Sequence, residues 1–194
     1  MDAPPRHEIT GLILAGGRAS RMGGIDKGLV EVEGRTLVGR VMERLRPQVG
    51  PMLISANRNL DRYRSFGFPV LLDAEEGLEP FPGPLAGILA GLRAAATPWL
   101  ATAPCDAPFL PLDLVSHLAE ALAGAHAAVA YAGVQIQPVF CLLHVSLAED
   151  LAGALANGER RSEAWLRGIG AAPALFLMAE NFANLNTLQE LRAP

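Results

Sequence analysis

An open, mostly parallel α/β sheet covered by helices on both faces is the fold this sequence predicts. Short apolar runs alternate with segments of helical spacing along most of the chain. The first run is nearly continuous, as a strand buried on both faces must be. Several runs end in glycine-rich or polar residues, where sheets of this kind bind ligands beyond the carboxyl ends of their strands.

Residues 9–15 read as the first strand, closed by Gly16-Gly17. Residues 36–45 follow helical spacing through Leu37, Val38, Val41 and Leu45, and Pro47 ends that helix. Residues 51–56 read as a strand, 61–66 as a short helix and 69–72 as a third strand ending at Asp73. Residues 73–84 form a loop rich in Pro, Gly and Glu. Residues 85–96 are then helical, with Pro84 suited to the first turn. A strand over 99–103 runs into Pro104-Cys105-Asp106, and a helix over 112–123 follows. Residues 127–131 and 138–143 read as adjacent strands, and the 131–143 segment is where one antiparallel strand is expected. Helices over 145–155 and 163–169, a strand over 174–178 and a helical turn over 188–192 complete the reading.

The chain has 194 residues, 51% hydrophobic and 19% charged, so it can bury a substantial core, and residues 1–194 are read as a single domain. A net charge of −4 gives no reason to expect nucleic acid as partner. Cys105 and Cys141 form no ligand pattern, and no histidine pairs with another at helical spacing. The amino terminus lacks the apolar stretch of a signal peptide, and no apolar run is long enough to span a membrane. A cytoplasmic protein without a membrane partner is expected.

Lys27 is the single lysine among sixteen basic residues. It sits in Gly16-Gly17-Arg18-Ala19-Ser20-Arg21-Met22-Gly23-Gly24-Ile25-Asp26-Lys27, directly after the first strand. Glycines let backbone N–H groups approach a phosphate, and a flexible ammonium adds a point charge. The loop follows neither the P-loop nor the dinucleotide fingerprint. Asp106 lies between Pro104 and Pro108, so its carboxylate is presented on a stiff turn opposite this loop. That placement suits Mg²⁺, which takes one or two carboxylates together with phosphate oxygens and waters. Asp73 is a second strand-end carboxylate, readable as nucleotide-binding or as an ordinary turn residue. No Ser-His-Asp or Cys-His arrangement is legible. The chemistry on offer is charge neutralisation and positioning, which is what phosphoryl and nucleotidyl transfer need.

Leu14-Ala15-Gly16-Gly17, Ser20-Arg21-Met22-Gly23-Gly24 and Asp26-Lys27 together resemble the signature loop of nucleotidyltransferases with the Rossmann-like sugar-nucleotide-transferase fold. Asp26-Lys27-Gly28-Leu29, Pro82-Gly83-Pro84-Leu85-Ala86-Gly87, Pro104-Cys105-Asp106, Gly158-Glu159-Arg160-Arg161 and Phe182, Asn184, Asn186, Thr187 narrow the resemblance to the molybdenum cofactor guanylyltransferase family. The resemblance runs in order along essentially the whole chain.

It implies transfer of GMP from GTP to molybdenum-loaded molybdopterin, with Mg²⁺ as cofactor and pyrophosphate as leaving group. Cofactor-delivery chaperones and apo-molybdoenzymes are the further partners it suggests. By the same resemblance Leu14, Ala15, Gly16 and Gly17 contact the nucleotide, and Lys27 and Arg21 meet the triphosphate. Asp73 helps hold the nucleoside, Asp106 binds the metal, and Gly83 and Gly87 allow close backbone approach. Arg160, Arg161, Asn184 and Asn186 lie towards the pterin. For the two arginines a helix C-cap with a solvated charged turn is the alternative. After the second strand the family often reads Asn-Ala-Asn-Arg. This chain has Ser55-Ala56-Asn57-Arg58, so base recognition falls to Ser55, through backbone or water, or to Asn57. A cytidylyl- or sugar-phosphate nucleotidyltransferase, or a non-catalytic molybdopterin carrier, are the competing readings.

Overall fold

A computed structural model of the chain describes residues 3–16, 26–72 and 83–183. The strands are β1 (Ile9–Leu14), β2 (Glu31–Val32), β3 (Arg35–Thr36), β4 (Met52–Ser55), β5 (Val70–Leu71), β6 (Trp99–Pro104), β7 (Ala127–Ala132), β8 (Gln135–His144) and β9 (Ala172–Phe176). The helices are α1 (Leu37–Leu45), α2 (Leu60–Arg64), α3 (Pro84–Ala94), α4 (Leu114–Ala121), α5 (Ala148–Ala156) and α6 (Ser162–Gly168). Seven strands form one sheet in the order β5-β4-β1-β6-β8-β7-β9. All neighbours are parallel except those of β8, which runs antiparallel to both β6 and β7. This is the expected sheet, including its one antiparallel strand.

Two apolar cores sandwich the sheet. On one face Ile9 and Ile13 of β1 meet Val38, Val41 and Leu45 of α1 and Leu114, Val115 and Leu118 of α4. On the other, Leu12 of β1 meets Leu85, Ile88, Leu89 and Leu92 of α3, Leu151 and Leu155 of α5, and Trp165 and Leu166 of α6. Alternation along β1 sends successive side chains to opposite cores, so the strand is buried throughout. Each large aliphatic side chain so buried contributes about 1.5–3 kcal/mol. Thr36 caps α1, its hydroxyl accepting from Gly39 N–H at 3.2 Å. Gly91 lets α3 lie close on β1 and β6: a Cβ there would stand 2.5 Å from Leu12 Cδ2.

Four differences from the sequence reading have physical causes. The β2–β3 hairpin, not expected, turns at Glu33 and Gly34, both at positive φ, as the tight two-residue hairpin requires. β8 begins at Gln135 rather than 138, because Gly133 and Val134 make a second two-residue turn. Residues 145–147 form a 3-10 turn before α5 rather than its first turn. β9 begins at Ala172 rather than 174. Pro173 falls inside it, because β9 ends the strand order and an edge strand tolerates a residue without an N–H. The helical turn expected over 188–192 lies outside the described residues.

Pro138, Val139 and Phe140 bulge out of the β7–β8 ladder, whose register shifts between Val129 and Ala130. A proline is accommodated at such a bulge. The β6–β8 pairing stops at Ala101, and the next residue, buried Thr102, donates its hydroxyl to Val139 C=O at 2.8 Å. Among the described residues no helix is long and apolar enough to cross a membrane.

Candidate active site

The carboxyl ends of β4, β1 and β6 are held level by hydrogen bonds that extend the parallel ladders. Ala15 N–H donates to Ser55 C=O at 2.8 Å, and Cys105 N–H donates to Leu14 C=O at 3.0 Å. Leu14, Ala15, half-buried Gly16, Ser55, Asn57, Cys105 and Asp106 therefore border one rim. Lys27–Leu29 is a 3-10 turn, and Leu29 N–H donates to Asp26 C=O at 3.1 Å.

This turn brings the lysine to the carboxylate. Lys27 Nζ stands 3.6 Å from Asp106 Oδ2, with side chains 29% and 17% exposed. Burial pushes the Asp106 carboxyl above its ordinary range, and the Lys27 charge and hydrogen bonding pull it back. Both groups face the same small region, one cationic and one anionic. The segment after Asp106 is pinned from α1 and the 3-10 turn that follows it. Arg44 Nε donates to Leu110 C=O at 2.6 Å, while Gln48 donates to Pro111 C=O at 2.9 Å and accepts from Val115 N–H at 2.9 Å.

Cys105 is buried, and its thiol is pushed well up by burial first and by the Asp106 and Asp26 charges next. A buried thiol held protonated packs as a small apolar side chain.

The sequence reading missed the support beneath Lys27. Asp26 is buried, accepting from Tyr63 O–H at 2.7 Å and from Asn59 Nδ2 at 2.8 Å, with Arg58 Nε 3.4 Å away. Gly28 makes room: a Cβ there would lie 2.6 Å from the Tyr63 oxygen and 3.1 Å from Cys105 Sγ. The available signal was an acidic residue beside the lone lysine and a polar turn, Asn57-Arg58-Asn59, after β4.

The remaining candidates divide. Ser55 is fully buried at the end of β4, and Asn57 is half-buried just beyond. Gly83 caps α3 at φ +90 with Pro84 in the first turn, and Gly87 is buried within α3. The first N–H groups of a helix have no partner within it, and the amino terminus of α3 carries the partial positive charge that favours anions. Arg160 is beside it: a Cβ on Gly83 would lie 3.6 Å from Arg160 C=O. Gly158, at φ +88, closes α5 with the paired hydrogen bonds of a Schellman cap, Glu159 N–H to Ala154 and Gly158 N–H to Leu155. Arg160 Nη1 adds bonds to Leu155 C=O at 2.7 Å and Glu159 C=O at 2.8 Å. Arg160 thus takes part in the cap, while Arg161 is 83% exposed and 3.8 Å from the Glu159 carboxylate. Gly17, Arg21, Asp73, Asn184 and Asn186 lie outside the described residues.

A mostly parallel sheet with Gly16, Lys27 and Asp106 gathered at its strand ends suits a nucleotidyltransferase. A family model for the MobA-like NTP transferase domain matches residues 11–173, and the chain belongs to that family. It is 51% identical over 195 residues to a molybdenum cofactor guanylyltransferase of Cupriavidus taiwanensis, covering 97% of this chain and 96% of that one. It is 52% identical over 194 residues to the corresponding protein of Cupriavidus necator, covering 96% of each. Among solved structures, molybdopterin-guanine dinucleotide biosynthesis protein A from Archaeoglobus fulgidus superposes with a TM-score of 0.72 at 22% identity, covering 94% and 95% of the two chains. That likeness bears on the fold.

Proposed function

We propose that this chain transfers GMP from GTP to molybdenum-loaded molybdopterin and releases pyrophosphate, all within one domain. The observation that carries the reading is the Lys27 ammonium 3.6 Å from the Asp106 carboxylate at the strand ends. Near-full-length identity to guanylyltransferases supports the choice of nucleotide and acceptor.

The terminal phosphate oxygen of molybdopterin attacks the α-phosphorus of GTP. The bond to the bridging oxygen breaks, and the β- and γ-phosphates leave as pyrophosphate. Backbone groups of 14–17 cradle the nucleotide, with Asp73, Asn57 and Ser55 on the nucleoside side. Lys27 and Arg21 offset the charge of the triphosphate. Gly83 and Gly87 let the nucleotide approach α3, and Arg160, Arg161, Asn184 and Asn186 line the pterin side. Asp106 is the residue that would hold Mg²⁺: its carboxylate is partly exposed and stands at a strand end. That donor set fits a cation that takes most of its ligands from phosphates and water. When bound, the ion neutralises phosphate charge and orients the leaving group. The product would pass to apo-molybdoenzymes, directly or through delivery chaperones. The unpaired, buried thiols of Cys105 and Cys141 support a cytoplasmic setting.

Pyrophosphate release is the test, measured with GTP, CTP, ATP and UTP in turn, with Mg²⁺ and molybdenum-loaded molybdopterin. Release with GTP that depends on the pterin is expected. Release with CTP would keep the mechanism and change the product. Absence of release with every nucleotide would overturn the transferase reading in favour of a carrier.

A further inference from the structure

Asp26 is a charged group withdrawn from water and must be compensated. Among the described residues its side-chain partners Arg58, Asn59 and Tyr63 come from one short stretch after β4. That stretch bends to reach it. Asn59 adopts φ +51, a left-handed conformation uncommon outside glycine, and from there its amide meets Asp26 Oδ2. Tyr63 is fully buried, and its phenol is pushed well up by burial and by the nearby Cys105 and Asp26, so it stays protonated and donates. The missing side chain at Gly28 is what admits that phenol. Lys27 lies between Asp26 and Gly28, so the backbone on both sides of the lysine is seated against Tyr63.

A lysine side chain is a flexible stem, and its ammonium is only as well placed as the backbone that carries it. We propose that Tyr63, acting through Asp26 and assisted by Asn59, is a positioning residue that sets the Lys27 ammonium for the triphosphate. The proposal rests on the nucleotidyl-transfer reading. Tyr63 is too buried to touch a ligand, so its influence passes through Lys27. It joins the loop that grips phosphates to the β4 loop that carries Asn57.

The experiment compares GTP and GMP binding by the wild type, Lys27→Ala, Tyr63→Phe, Asn59→Gly and the Tyr63→Phe/Lys27→Ala double variant, with thermal unfolding of each. Loss of a hydrogen bond to a charged group predicts GTP binding weakened about tenfold by Tyr63→Phe, with GMP binding altered less than about twofold. In the Lys27→Ala background Tyr63→Phe adds nothing. Asn59→Gly keeps the left-handed backbone, removes one bond to Asp26, and reproduces the pattern at about threefold, so the test survives poor folding of Tyr63→Phe. Equal losses for GTP and GMP, or an undiminished effect without Lys27, would overturn the positioning role. A wild type whose triphosphate affinity is unchanged by Lys27→Ala would instead overturn the functional reading, and the proposal with it.

Discussion

Gly28→Ala tests the packing under the lysine turn. Gly28 is not at a positive φ, so the cost of a side chain there is steric alone. The new Cβ would stand 2.6 Å from the Tyr63 oxygen, 3.1 Å from Cys105 Sγ and 3.2 Å from Cys105 Cβ, all belonging to buried side chains. Overpacking of a filled core costs about 1–3 kcal/mol. For a chain of this length that lowers the unfolding midpoint by about 2–12 °C. The nearest obstacle is the hydroxyl that binds Asp26. Gly28→Ala therefore breaks part of the same bond that Tyr63→Phe deletes, which alone costs about 1.5–3 kcal/mol. A urea-unfolding cycle over both substitutions should show the double variant more stable than the sum of its parts by about 1 kcal/mol. Pyrophosphate release should fall in Gly28→Ala because the turn that carries Lys27 is displaced. Strict additivity, or wild-type stability for Gly28→Ala, would refute the packing argument.

Asp106→Asn should abolish pyrophosphate release while leaving the protein as stable at neutral pH as the wild type, or more so. The Asp106 carboxyl is raised by burial, so its contribution to stability is present below the ordinary carboxylate range and lost as pH rises through the raised value. Unfolding curves from acid to neutral pH check this: the wild type should lose relative stability over that window and the variant should not. Lys27→Ala should weaken GTP binding about 10- to 100-fold by titration calorimetry, from loss of charge-assisted phosphate contacts. His144 is lowered by burial and by His126, with ring centroids 5.1 Å apart, so stability should fall as pH drops from its ordinary value towards the lowered one. His144→Gln should flatten that fall in unfolding curves. Gly158→Ala should cost about 1–2 kcal/mol in urea unfolding, because φ +88 is strained for any residue with a Cβ.

Local patterns made much of the fold legible. β1, β4 and β6 are short apolar runs because both faces of the sheet are covered, and α1 shows its buried stripe at helical spacing. The β2–β3 turn carried a glycine signal at Gly34, but its flanking strands are only two residues each and too polar to stand out, whereas β7 and most of β8 were legible as apolar runs. That β9 can start before Pro173 depends on its edge position, which is a property of the sheet and not of the residue. In Gly158-Glu159-Arg160-Arg161 the sequence offered two meanings, and only the folded chain shows Arg160 reaching the carbonyl end of α5 while Arg161 stays exposed.

The sequence by itself determined the layered sheet, the place of the glycine-rich segment after β1, and the two charged residues at strand ends. Hydrophobic period and turn chemistry are local and are written in adjacent residues. Tertiary structure alone decided that Lys27 and Asp106, distant in sequence, meet at 3.6 Å, and that Asp26 is buried under Tyr63, Asn59 and Arg58. Those outcomes depend on strand order and on which side chains a crossover brings back to the same rim. A carboxylate's partners are chosen by the space left to it once the sheet has formed, and spacing along the chain does not encode that space.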